Sequence, residues 1–172
     1  EEIKSLAKPI TALDIGRAIA RYHRENGGWL SEQDLAEFRV RFETPVRTKF
    51  RDLEVYACGP WCQGPLVLQT LNILSGIDLR ALGHNTPAYL HVLTEALKLA
   101  FADRHQYYGD PKFVKVPMQQ LLSSEFTSER RKKIDMQRAF PGMPEAGSIA
   151  GWSKQPCVLP LPTSGDPAPP AD

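Results

Sequence analysis

Three cysteines, four histidines and a run of charged residues near the middle of the chain are the groups with chemistry to offer in this 172-residue sequence. Cys58-Gly59-Pro60-Trp61-Cys62 places two thiols in a Gly/Pro bend just ahead of an expected helix. Dithiol redox chemistry needs two residues between the cysteines, so that a helix N-terminus stabilises one thiolate and the other resolves the mixed disulfide. Three residues intervene here, and no βαβ pattern surrounds them. A redox module on Cys58 and Cys62 is therefore the lesser alternative. Cys157 lies in a proline-rich stretch, and no Cys-x-x-Cys pair or His-x-x-x-His exists to complete four ligands, so no metal site is expected. Gln63-Gly64-Pro65, at a strand-to-helix junction, could offer backbone N–H groups to an anion or could simply form a tight turn. His91 and Glu95 stand one helical turn apart, so they could act as a base and its orienter or make a surface contact; His84 lies just before that helix. Asp103-Arg104 with Glu95 and Lys98 reads as an ion-pair network along one helix. No nucleophile elbow, phosphate-binding loop, metalloprotease or dinucleotide motif is present. No residue of the chain is singled out as catalytic, and no cofactor is implied.

The elements that must hold these groups follow from periodicity. Ile15, Ala18, Ile19 and Tyr22 form one stripe of a helix over about 13–26, closed by Asn26-Gly27-Gly28. Ser31 with Asp34 signals the cap of a short helix. Between 38 and 58 the period changes to two: Val46, Thr48 and Phe50, then Leu53, Val55 and Ala57, predict a hairpin with one buried face and a turn at Arg51-Asp52. The helix expected over about 65–75 is apolar nearly all round and must be covered on more than one side. Thr86-Pro87 opens the longest helix, with Leu90, Leu93, Leu97, Ala100 and Phe101 in helical register to about Tyr107; Gly109-Asp110-Pro111 stops it. A shorter helix is expected over 124–136. From Ser153 onward six of twenty residues are proline, a composition that cannot bury a core. The organisation expected is thus a folded segment over 1–152 and a flexible tail over 153–172.

Lys and Arg number 21 against 20 Asp and Glu, a net charge of +1, which gives nucleic acid or an anionic membrane no electrostatic hold. No apolar run is long enough to span a bilayer, and the compartment is left open between periplasm and cytoplasm. Five helices and one hairpin define an α+β class. Two strands make no independently stable sheet, so the hairpin and the all-round apolar helix point to a larger structure whose remaining strands lie in another chain.

In order, several segments resemble the γ-glutamyltransferase (γ-glutamyltranspeptidase) family. Gly27-Gly28-Trp29-Leu30-Ser31-Glu32-Gln33-Asp34-Leu35 is similar to the family's Gly-Gly-x-x-Ser/Thr-x-x-Asp-Leu. Pro45, Phe50-Arg51 and Val55-Tyr56 follow its hairpin, and Leu71-Asn72-Ile73-Leu74 its next helix. Glu95-Ala96-Leu97-Lys98-Leu99-Ala100-Phe101-Ala102-Asp103-Arg104, with Tyr107, Gly109-Asp110-Pro111, Phe113-Val114 and Val116-Pro117, carries the longest match. The resemblance spans about residues 11–135. The family's Pro-Ser-Ser-Gly-Gly after the hairpin is replaced by Trp61-Cys62-Gln63-Gly64-Pro65, which keeps only Gly64 and suggests a divergent member, such as an acylase or amidohydrolase acting on another amide.

What the resemblance implies is a four-layer αββα N-terminal-nucleophile hydrolase, made as a precursor that cuts itself into two subunits. This chain looks like the second half of the large subunit, with the processing point expected just after Asp172. The implied partner is a small subunit whose N-terminal Thr attacks a γ-glutamyl or related amide and passes the acyl group to water or an amine. The nucleophile and the arginine that grips the substrate α-carboxylate fall on no position of this chain.

Overall fold

The computed structural model describes residues 12–153. The tail from residue 154, with Cys157 and the expected processing residue Asp172, lies outside the described residues. Two compact units divide at residues 42 and 43, and each is taken by itself.

The first unit holds α1 (Ala12–Glu25) and α2 (Glu32–Glu37). Gly27 takes φ 70°, a left-handed turn that suits glycine, and the Gly28 N–H then reaches back to the His23 carbonyl at 2.7 Å, closing α1. At α2 the expected cap is a reciprocal box. The Asp34 N–H donates to Ser31 Oγ at 3.2 Å and the Ser31 N–H to Asp34 Oδ2 at 2.8 Å. Those bonds from Ser31 hold the exposed Asp34 carboxyl below its ordinary pKa. The α1 stripe is not covered, since Ile15, Ile19 and Tyr22 are all exposed.

The second unit begins with β1 (Val46–Phe50) and β2 (Leu53–Ala57), antiparallel with Val46 opposite Ala57 and Phe50 opposite Leu53. The turn is at Arg51-Asp52 as expected, with Arg51 in the left-handed region. Val46, Thr48, Phe50, Val55 and Ala57 are half-buried, but Leu53 is exposed, so the buried face of β2 starts one pair later than the alternation predicts. The sheet is two-stranded, and the described chain is mostly helical.

Helix α3 (Gly64–Leu74) follows the hairpin and is buried on several sides, through Leu66, Leu68, Gln69, Asn72, Ile73 and Leu74. It starts hard against the hairpin: a Cβ on Gly64 would lie 2.8 Å from both Ala57 Cβ and the Cys58 carbonyl. Asn72 ties the same elements together, accepting from Thr48 Oγ1 at 2.5 Å and donating to the Leu122 carbonyl at 3.0 Å.

Helix α4 (Pro87–Tyr107) is capped by Thr86, whose Oγ1 accepts from the Tyr89 N–H at 3.2 Å. Its buried face differs from the leucine stripe. Val92, Glu95, Ala96, Leu99, Ala102, Asp103 and Tyr107 are buried, while Leu90 is exposed and Leu93, Leu97 and Phe101 are half-buried. Small residues let α3 approach α4, and the two carboxylates face inward because they bind other parts of the chain. Leu66, Ile73 and Leu74 of α3 with Val92, Ala96, Leu99 and Ala100 of α4 make the main core.

A single-turn α5 (Met118–Leu121) and α6 (Ser124–Arg131) complete the elements. Helix α6 ends at Arg131, short of the expected residue 136. Bonds from the Lys133 and Ile134 amides to the carbonyls three residues back tighten the chain into turns there. Arg131 meanwhile reaches the C-terminal end of α3, donating to the Ile73 carbonyl at 2.6 Å and the Asn72 carbonyl at 2.9 Å. No helix among the described residues is long and apolar enough to cross a membrane.

The tight junction at Gly64 gives a direct prediction. Gly64→Ala should destabilise the protein by about 1–3 kcal/mol through overpacking, read from denaturant unfolding. Gly142→Ala, where a Cβ meets nothing within 4 Å, should leave stability unchanged.

Candidate functional site

The polar groups of α4 that the sequence offers as candidate chemistry lie along one side of the helix, where a segment without helix or strand, residues 132–153, runs beside it. The two run in the same direction. His91 Nε2 donates to the Asp135 carbonyl at 2.7 Å. Glu95 Oε2 accepts from the Phe140 N–H at 2.7 Å, and Lys98 Nζ donates to the Phe140 carbonyl at 3.1 Å. Asp103 Oδ1 accepts from the Gly147 N–H at 2.7 Å, and the Tyr107 hydroxyl donates to the Gly147 carbonyl. The Tyr107 and Trp152 rings meet edge to face, centroids 4.5 Å apart. From His91 to Tyr107 α4 rises about 24 Å, and the segment is fastened at each step of that length. It is a strap, and a backbone with no ladder of its own obtains its hydrogen bonds from α4 side chains.

Asp103 is the most heavily engaged of these groups. Its side chain is fully buried. Besides Gly147, it accepts from Gln69 Nε2 at 2.5 Å and from Arg130 Nε at 3.0 Å. Arg130, itself buried, also donates to the Leu99 carbonyl at 3.2 Å and the Glu145 carbonyl at 2.9 Å. One carboxylate thus joins α3, α4, α6 and the strap. Burial pushes the Asp103 carboxyl above the ordinary aspartate range, while Gly147, Arg130 and Gln69 all pull it the other way. Gln69 extends the network outward, accepting from the Tyr108 hydroxyl at 3.2 Å. Burial raises the pKa of both Tyr107 and Tyr108, so both phenols are neutral hydrogen-bond donors at ordinary pH. Gly147 must be glycine: a Cβ there would come within 2.6 Å of the Phe126 ring and 2.9 Å of Arg130 Cδ.

Of the two readings of His91 and Glu95, the base-and-orienter pairing is not formed. Both Glu95 oxygens are engaged, Oε1 by Lys98 Nζ at 2.8 Å and Oε2 by Phe140. Burial alone would raise the Glu95 carboxyl; the Lys98 ammonium and the Phe140 amide outweigh it and hold the group below its ordinary value. His84 stacks obliquely on Tyr89, centroids 5.7 Å apart. The single ion-pair network expected on the helix is two separate pairs, Glu95 with Lys98 and Asp103 with Arg130 of α6. Arg104 joins neither.

The cysteine bend does not have the electrostatics of a redox site. Cys62 Sγ donates to the Gly59 carbonyl and accepts from the Gly64 N–H, both at 3.4 Å. Cys58 is exposed, and its thiol is pushed up, first by neighbouring Cys62 and further by the Glu43 charge; a redox thiolate requires the opposite. The anion reading of Gln63-Gly64-Pro65 also fails. The Gly64 N–H is taken by sulfur, Pro65 has none, and the Leu66 N–H donates to the Gln63 carbonyl at 3.2 Å. Among the described residues no three His, Cys, Asp or Glu side chains gather as a metal set.

The arrangement is one of positioning: Glu95 is engaged by Lys98 and the Phe140 amide, and Asp103 by Gln69, Arg130 and the Gly147 amide. Tyr107 falls in the stretch that most resembles the family, but Gln69, Arg130 and Gly147 carry no motif that marks them in sequence. The one available signal is Gln69, a polar residue on a helix expected to be covered all round.

The family model of gamma-glutamyltranspeptidase matches residues 13–156. Among curated proteins, the acylase ACY 1 proenzyme of Pseudomonas sp. (strain SE83) is 40% identical over 126 residues, covering 73% of this chain and 23% of that proenzyme. The glutathione hydrolase proenzyme of Escherichia coli K12 is 35% identical over 128 residues, covering 74% of this chain and 22% of its own length. Among solved structures, the Helicobacter pylori gamma-glutamyltranspeptidase superposes with TM-score 0.68 at 30% identity, covering 74% of this chain and 37% of that one. The cephalosporin acylase of Bacillus halodurans gives 0.64 at 34%, over 71% and 22%. The chain belongs to the gamma-glutamyltranspeptidase family. It spans less than a quarter of the length of these two curated relatives.

If the buried pair holds the strap, removing one partner should be costly. Arg130→Met leaves the Asp103 charge buried beside its other donors and should destabilise the intact protein by about 3–5 kcal/mol, measured by urea unfolding.

Proposed function

We propose that this chain is the later part of the large subunit of a self-processed, amide-cleaving enzyme, and that it serves as scaffold. In this reading a small subunit supplies an N-terminal Thr. Its hydroxyl oxygen attacks the amide carbonyl of a γ-glutamyl or related substrate while its own α-amino group takes the proton. The amine leaves, and the acyl-enzyme is resolved by water or by an acceptor amine. The observation that carries the reading is the family match over residues 13–156, coupled with buried carboxylates and a guanidinium that are engaged in positioning. Support also comes from the hairpin, whose two strands each keep an unpaired edge among the described residues, as they would if further strands completed the sheet.

A second reading concerns the acyl group. Trp61-Cys62-Gln63-Gly64-Pro65 stands where the family resemblance leads one to expect Pro-Ser-Ser-Gly-Gly, and the acylase proenzyme is more similar to this chain than the glutathione hydrolase proenzyme, at 40% against 35% identity. Both favour an acylase acting on a non-glutathione amide.

Intact mass and N-terminal sequencing of the purified full-length protein test the proposal. Two polypeptides are expected, one starting with Thr, and the preparation should release amine from a γ-glutamyl anilide or an acyl cephalosporin. A single uncut chain, or a second polypeptide starting with a residue lacking a hydroxyl or thiol, contradicts it. The ratio of kcat/KM for the two substrates decides between the readings of the acyl group.

A further inference from the structure

A cleft of about 480 Å³ lies between the cysteine bend and the C-terminal end of α4, lined by Trp61, Cys62, Arg104, His105 and Tyr108 among others. Arg104 distinguishes it. Lys98, Arg130 and Arg131 all have carboxylate or carbonyl acceptors. Arg104 is half-buried, yet among the described residues its side chain has no ion pair and no hydrogen bond. A guanidinium with five N–H donors that faces a cleft and meets no protein acceptor is free to bind an anion there. Its planar fork matches the two oxygens of a carboxylate.

The rest of the lining fits the same ligand. Glu43, the acid beside the bend, is already bonded to the Gly59 N–H at 3.1 Å and to Trp61 Nε1 at 2.9 Å, so it is drawn to the bend rather than to Arg104. That bond also leaves the Trp61 indole as an apolar wall. Tyr108 directs its hydroxyl to Gln69. The cleft therefore presents one uncompensated cation, an imidazole and an aromatic surface.

We infer that this cleft binds a small carboxylate, with Arg104 as its anchor. The inference is argued from the cleft's own residues and does not depend on the amide chemistry proposed above.

Cys62 lines the cleft and Cys58 does not, which makes the two thiols reporter and internal control. The intact protein is alkylated with iodoacetate and with iodoacetamide, reagents of similar size that differ in charge, and peptide mass spectrometry gives the rate at each cysteine. At Cys62 the iodoacetate-to-iodoacetamide ratio should exceed that at Cys58 by about tenfold, the scale of one charge-assisted contact, and the iodoacetate rate should saturate. Acetate should protect Cys62 where acetamide does not. Arg104→Gln should bring the ratio at Cys62 down to that at Cys58, with Arg104→Lys retaining part of the preference. Equal ratios at the two thiols in the unsubstituted protein, failure of acetate to protect, or a preference that survives Arg104→Gln overturns the inference.

Discussion

A carboxylate removed from water must be surrounded by donors or lose its charge, and Asp103 is fully buried. Its three donors come from three separate parts of the chain: Gln69 on α3, Arg130 on α6 and the Gly147 amide on the strap. Satisfying that one side chain therefore requires α3, α6 and the strap to be in place around α4. Arg130 repeats the constraint from the other side, since its remaining contacts are the Leu99 and Glu145 carbonyls. Apolar packing between α3 and α4 supplies the driving force, but it is non-directional. The polar contacts decide where the irregular segment lies.

This explains how a stretch of about twenty residues with no regular structure can be well placed. Its backbone groups bond to His91, Glu95, Lys98, Asp103 and Tyr107. Those residues include three of the four charged positions of the stretch that most resembles the family pattern, Glu95, Lys98 and Asp103 but not Arg104. In the catalytic alternative His91 and Glu95 would be a base and its orienter. Their geometry makes them fasteners instead, in line with the scaffold role proposed above.

Much of the fold is legible from local rules. The caps at Ser31 and Thr86, the glycine stop after α1 and the two-residue turn at Arg51-Asp52 appear where side-chain chemistry and backbone freedom demand them. Helix ends set by tertiary contacts are not legible in this way: α6 stops where its two arginines are drawn to the strap and to α3. The buried face of α4 misleads for a related reason. Periodicity assigns the interior to leucines, yet Glu95 is inside with Lys98 and the distant Phe140 amide bonded to it, and Asp103 with the distant Arg130. Nothing near Asp103 announces Arg130, 27 residues away. The thiol bend, whose three-residue spacing already speaks against dithiol redox chemistry, uses Cys62 as a turn-stabilising group at the start of α3.

The central claim is that the strap is held by buried side chains of α4. Hydrogen exchange of the intact protein tests it at two amides, Phe140 and Gly147, which lie outside any helix or strand and donate to Glu95 and Asp103. Both should exchange about as slowly as the interior amides of α4, opening only with the unit as a whole. Exchange at the rate of an exposed loop would mean that the strap detaches freely and that the carboxylates do not fix it.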